Sequence, residues 1–147
     1  MQGIYQDIPR LYTAIAEWGA CVLQITVLNR RLRGWQLFSI SAAALMLQSA
    51  FLIFTDNLPT ALWIPCMAAA TGLMLLYLCI CCREKLMTTV AACARAFLLA
   101  EFAASLEWQL HCYMLMRLGS LARPVQWGLA ALTYGLIFFA GYRLEKK

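Results

Sequence analysis

The sequence predicts an all-α integral membrane bundle of about five transmembrane helices. Two observations carry this reading. Of the 147 residues, 63% are hydrophobic and only 13% charged, whereas an ordinary soluble domain is about half apolar and about a quarter charged. The apolar residues also gather in long runs instead of alternating with polar ones, and a run of roughly 20 residues matches the hydrocarbon thickness of a bilayer. A soluble fold of this length has nowhere to hide so much apolar surface. The whole chain reads as one membrane domain, since no internal repeat, low-complexity segment or long linker divides it.

Five spans follow one another, at residues 11–28, 35–54, 60–82, 88–116 and 125–142. Each is near the length that a helix needs to cross hydrocarbon at about 1.5 Å per residue. The first ends at "NRRLRG", the second at "TDNLP" and the third at "REK". The fourth runs into "RLGSLARP" and the fifth into "RLEKK". Pro59 follows Asp56 and Asn57, which suits a helix start. Pro65 falls inside the third span and predicts a kink, because neighbouring groups in a bilayer can satisfy the freed carbonyl.

The net charge of +5 does not point to nucleic acid. The basic residues sit in short clusters between apolar runs, as topology signals do. If the N-terminus is outside, the inner loops and tail hold Arg30, Arg31, Arg33, Arg83, Lys85, Arg143, Lys146 and Lys147. The outer segments then hold only Arg10, Arg117 and Arg123, with Arg95 inside a span. Positive residues favour the cytoplasmic side, so the expected location is the cell membrane, with the N-terminus outside and the C-terminus cytoplasmic. The opening "MQGIYQDIPR" does not read as a signal peptide: it has no basic start, and Glu17 interrupts the apolar run behind it.

The fourth span is the most informative. Ala92, Ala96, Ala100 and Ala104 recur at four-residue spacing and form a narrow ladder of small side chains. Such a ladder lets another backbone approach closely, and van der Waals packing then holds the helices together. Glu107 and His111 continue the same side. Arg95 and Glu101 lie elsewhere on the helix, which places it centrally or beside a wet cavity. On the first span Glu17, Cys21 and Gln24 form one stripe, with Ala14 and Ala20 beside it. A meeting of spans one and four would gather Glu17, Glu107 and His111, with Trp108 nearby, around an outward-facing site for a ligand. A plainer role competes with this. Buried polar side chains also act as glue between membrane helices, which is the preferred reading for Arg95 and Glu101. His111 also fits the headgroup level beside Trp108 and Tyr113.

The sequence offers no enzyme active site and calls for no cofactor. "CICC" at 79–82 could bind a soft metal, but no second ligand cluster accompanies it and the one histidine is expected at the other side. No metal site is therefore expected, and these thiols read as small hydrophobes. His111 and Cys112 point apart as helix neighbours. A phosphate-binding glycine loop, a zinc signature and a serine nucleophile motif are all missing.

Three stretches together carry a resemblance: "YQDIPRLYTAIAEW" (5–18), "LPTALWIPCMA" (58–68) and "CARAFLLAEFAASLEWQLHCY" (93–113). The chain resembles the N-terminal membrane sensor region of GHKL-type sensor histidine kinases of Gram-positive gut bacteria, which are similar to the accessory-gene-regulator quorum sensors. The resemblance implies an extracellular peptide or small-molecule ligand, a homodimer, and a cytoplasmic dimerising helix pair followed by an ATP-binding domain. The chain departs from that plan. It carries no phosphoacceptor histidine on a cytoplasmic helix, no asparagine-rich ATP box and no glycine-rich lid. The implied protein is thus a sensor module truncated or split from its kinase domain, or a free-standing descendant of one. Two other classes stay open. A small transporter or channel subunit would use Arg95, Glu101 and Glu107 as a proton or ion path. A non-catalytic partner protein would use the alanine ladder to hold another membrane protein.

Overall fold

The computed structural model describes residues 10–119 and 123–147. The first nine residues and residues 120–122 lie outside them, and with them the reading of the N-terminus as lacking a leader and the start of the 5–18 stretch. Among the described residues five α-helices alternate in direction: α1 (Arg10–Val27), α2 (Trp35–Phe54), α3 (Trp63–Cys81), α4 (Leu86–Leu118) and α5 (Arg123–Glu145). No strand occurs among the described residues. The fold is an all-α bundle of the kind expected for a multi-pass membrane protein.

Among the described residues four segments are long and apolar enough to cross a membrane: α2, residues 60–81, α4 and α5. The first expected span, α1, is not among them. It has 18 residues and carries Arg10, Glu17 and Gln24. The reason is its position. α1 packs against each of the other four helices, and Ala14, Ala16, Glu17, Ala20, Cys21, Leu23, Gln24 and Ile25 are all buried. A helix that turns its polar side chains into protein can hold groups that a lipid-facing helix excludes, and Glu17 and Gln24 are both buried. α2 is the converse: only Ser41, Gln48 and Leu52 are buried, and the outward side chains make it one of the most apolar segments.

The most extensive helix contact is α1 with α4. Ala92, Ala96, Ala100 and Ala104 are all at most 1% exposed, as are Ala16 and Ala20 of α1. Five of these six alanines, with Ala103, share one core cluster with Cys21, Met74, Leu78 and Tyr134. Small side chains on both helices allow the close approach. α4 has 33 residues, about 50 Å at 1.5 Å per residue, so it extends beyond a hydrocarbon layer of about 30 Å. Gly119 ends it at φ 72°, its N–H bonding the Leu115 carbonyl at 2.9 Å. That left-handed geometry favours glycine.

The expected kink at Pro65 takes another form. Residues Thr60–Leu62 make one 3-10 turn, and the α-helix begins at Trp63. Pro65 therefore lies in the first turn of α3, where an amide N–H has no intrahelical acceptor to lose.

The α1–α2 and α3–α4 loops meet at one end of the bundle. Arg30 and Cys82 form an antiparallel bridge. The Arg31 N–H reaches the Cys81 carbonyl at 2.8 Å and the Arg83 N–H reaches the Asn29 carbonyl at 2.9 Å. Asn29 Nδ2 donates to Glu84 Oε1 at 2.6 Å. Alternating helix direction brings the end of α5 to this same side, so the arginines and lysines of both loops and of the C-terminus form one basic end. All seven cysteines are free thiols. Cys81 and Cys82 of the "CICC" run are buried in the core, and Cys79 is half-buried.

Candidate functional site

A polar vestibule opens at the end opposite the basic one. Its volume is about 410 Å³, and it lies among the start of α1, the α2–α3 connection, α3 and the middle of α4. Arg10 Nε bonds Asp56 Oδ1 at 3.0 Å across its mouth. Thr13, Thr55 and Thr60 add hydroxyls, and Trp63, Leu52 and Met67 add apolar wall. Glu101 lines the same space, and Arg10 is within electrostatic reach of it. Glu101 Oε1 is shielded from solvent and has no hydrogen-bond partner among the described residues. A chamber with one guanidinium and two carboxylates, one of them with a free acceptor oxygen, suits a small polar or zwitterionic group.

Beneath it lies a polar core. Glu17 is fully buried and within electrostatic reach of Glu101. Its Oε2 accepts a hydrogen bond from Gln48 Nε2 of α2, and its Oε1 has no partner among the described residues. Farther toward the basic end, Ser41 joins three helices. Trp18 Nε1 donates to both its carbonyl and its Oγ at 3.0 Å, and the Tyr77 hydroxyl donates to the same Oγ at 2.9 Å.

Apart from Glu101 in the vestibule, the sequence-predicted polar residues fall into four places. Glu17 turns toward α2. Glu107 is 1% exposed and lies within electrostatic reach of Tyr12 of α1 and Tyr134 of α5, with Oε2 unpartnered among the described residues. Trp108 and His111, both half-buried, stack on each other with centroids 5.2 Å apart and planes 12° apart. No hydrogen bond among the described residues joins Glu17 to Glu107 or either of them to His111. The fourth place is the basic end, where Gln24 and Arg95 converge on one acid. Gln24 Nε2 donates to Glu145 Oε1 and Arg95 Nη1 to Glu145 Oε2, each at 3.0 Å. The last turn of α5 is thereby tied to α1 and α4. Among the described residues no group of three or more His, Cys, Asp or Glu side chains is placed to hold a metal ion.

Sequence reasoning missed Gln48, Ser41 and the Arg10–Asp56 pair. A signal for the first two was present. Gln48 is a lone amide in an apolar run, and Ser41 stands seven residues before it, on the same helix face. The pair of Arg10 and Asp56 joins positions 46 apart and left no local pattern.

No protein-family model matches the chain, and neither a curated protein nor a solved structure matches it.

Proposed function

We propose that this chain is the membrane-embedded sensor module of a two-component signalling histidine kinase. Its N-terminus faces outward and its C-terminus the cytoplasm. The ligand, a small molecule or the end of a peptide, enters the vestibule from outside. The observation that carries this reading is the vestibule itself: an open chamber with Glu101 held in its wall, short of one hydrogen-bond donor. The grip of Gln24 and Arg95 on Glu145 supports an output route, because a shift of α1 against α4 must change how α5 leaves the bundle. A ligand drives such a shift only if it binds one arrangement better than the other. The resemblance of the 93–113 stretch to GHKL-type sensors supports the same reading.

Two experiments test it. The first attaches the dimerising and catalytic parts of a sensor kinase after Lys147 and measures autophosphorylation. Arg10→Ala, Asp56→Ala and Glu101→Gln are expected to change the basal level, while Ala94→Leu on the outer face of α4 leaves it unchanged. A level indifferent to all four rejects the sensor role. The second introduces single cysteines at Asp56 and Arg31 in a chain lacking the native thiols. An impermeant maleimide added to intact cells is expected to label the first and spare the second; the opposite pattern overturns the orientation. A proton path is the second reading, favoured by the closeness of Glu101 and Glu17. Flux driven by a pH gradient in reconstituted vesicles would select it.

A further inference from the structure

A second cavity lies within the hydrocarbon level, separate from the vestibule. It occupies about 190 Å³ between α1, α2 and α3. On the α2 side its lining includes Ala43 and Ala44, whose small side chains leave room, and on the α3 side Leu73 and Leu76. Its rim is open: Leu47 is 56% exposed and Leu76 55%, and in a bilayer those side chains face acyl chains. Entry is therefore lateral, from the lipid phase.

The chemistry of the walls is specific. Most of the wall is apolar, and the polar side chains in it are Trp18, Tyr77 and the bonded pair Glu17 and Gln48. Of the polar side chains lining it, Trp18 and Tyr77 already donate to Ser41, and Gln48 already donates to Glu17. Glu17 Oε1 alone is both fully buried and without a donor; it lies just behind the cavity wall, so a ligand reaches it as the wall side chains turn aside. Glu17 takes part in neither ion pair among the described residues, Arg10–Asp56 or Arg95–Glu145. A buried carboxyl with an unfilled acceptor is costly. What it lacks is a partner for that oxygen, and a basic nitrogen supplies one whether the carboxyl is ionised or protonated.

We propose that this cavity is a binding site for a small lipophilic amine that enters from the bilayer, its apolar body between α2 and α3 and its nitrogen donating to Glu17 Oε1. The volume fits. A protein cavity of about 150 Å³ takes up benzene, so this one holds a single aromatic ring with a short aminomethyl arm. The proton balance closes by either route: an ammonium meeting a carboxylate and a free amine meeting a carboxylic acid give the same bound pair. The site is independent of the vestibule and stands whether or not the chain is a sensor.

The test uses the full chain in nanodiscs, with 4-fluorobenzylamine and 4-fluorotoluene as fluorine-NMR probes and empty nanodiscs as the partition reference. In the native chain the amine is expected to bind more tightly than the toluene by about tenfold or more, the size of one hydrogen bond to a charged group. Glu17→Gln is expected to remove that preference while the toluene still binds. Ala44→Phe fills the cavity from a half-buried position on α2 and is expected to abolish binding of both. It decides the matter if Glu17→Gln does not fold. No saturable binding of the amine, equal binding of the two probes, a preference that survives Glu17→Gln, or amine binding that survives Ala44→Phe each overturns the proposal.

Discussion

Replacing Ala96 by leucine should destabilise the bundle, while the same replacement at Ala94 should not. Ala96 is fully buried in the cluster that also holds Ala16, Ala20, Ala100 and Ala104, and it lines none of the cavities described above. The added branched side chain has no space to enter, so α1 and α4 must separate or their neighbours leave their rotamers. Overpacking of this kind costs about 1–3 kcal/mol, which lowers the folded-to-unfolded ratio by about 5- to 150-fold. Ala94 is two residues away on the exposed face of α4, where a leucine exchanges one lipid-compatible group for another. Reversible unfolding in mixed micelles of increasing dodecyl sulfate fraction measures both. If the two variants unfold within about 0.5 kcal/mol of each other, additivity error alone covers the gap, and the ladder is not the packing face between α1 and α4.

Three further outcomes are expected. A double-mutant cycle of Glu17→Ala with Gln48→Ala should return a coupling of about 1 kcal/mol, within the range measured for hydrogen bonds between membrane helices; additive losses would mean that the two side chains do not bond. At the basic end, Gln24→Ala should cost more than Arg95→Ala, because Gln24 is 2% exposed while the Arg95 side chain is 52% exposed, and an exposed pair is worth little. The reverse order in the same unfolding assay would sink that account. A Cβ at Gly19 would lie 2.7 Å from Phe138 Cε2, so Gly19→Leu should destabilise by about 1–3 kcal/mol and Phe138→Ala in the same chain should relieve part of the loss. No relief would show that α5 does not rest on Gly19.

How much could be read in advance depended on whether a feature has a period. The spans at 35–54 and 60–82 need only runs of apolar residues, and the corresponding helices end within a residue of those bounds. The alanines of α4 recur every four residues, which is enough to put them on one face. The destination of Glu17 has no such signature. Its helix face was legible, but α2 and α4 both border α1, and nothing local says which neighbour supplies the hydrogen bond. The bond goes to Gln48, 31 residues away.

The order of residues alone settled the class of the molecule: long apolar runs broken by basic turns make an all-α bundle in a membrane, because every backbone polar group within hydrocarbon must be satisfied inside its own helix. It also determined that α1 and α4 carry the polar groups and the small side chains that belong inside. Packing set the rest: α1 touches all four other helices, Arg10 and Glu101 share a vestibule, and Glu145 holds α1 and α4 together at the opposite end. The physical reason is range. Helix formation and lipid exposure follow from neighbours a few residues apart, whereas a vestibule and a three-helix clamp join side chains 46 to 121 residues apart, and only packing brings such groups together.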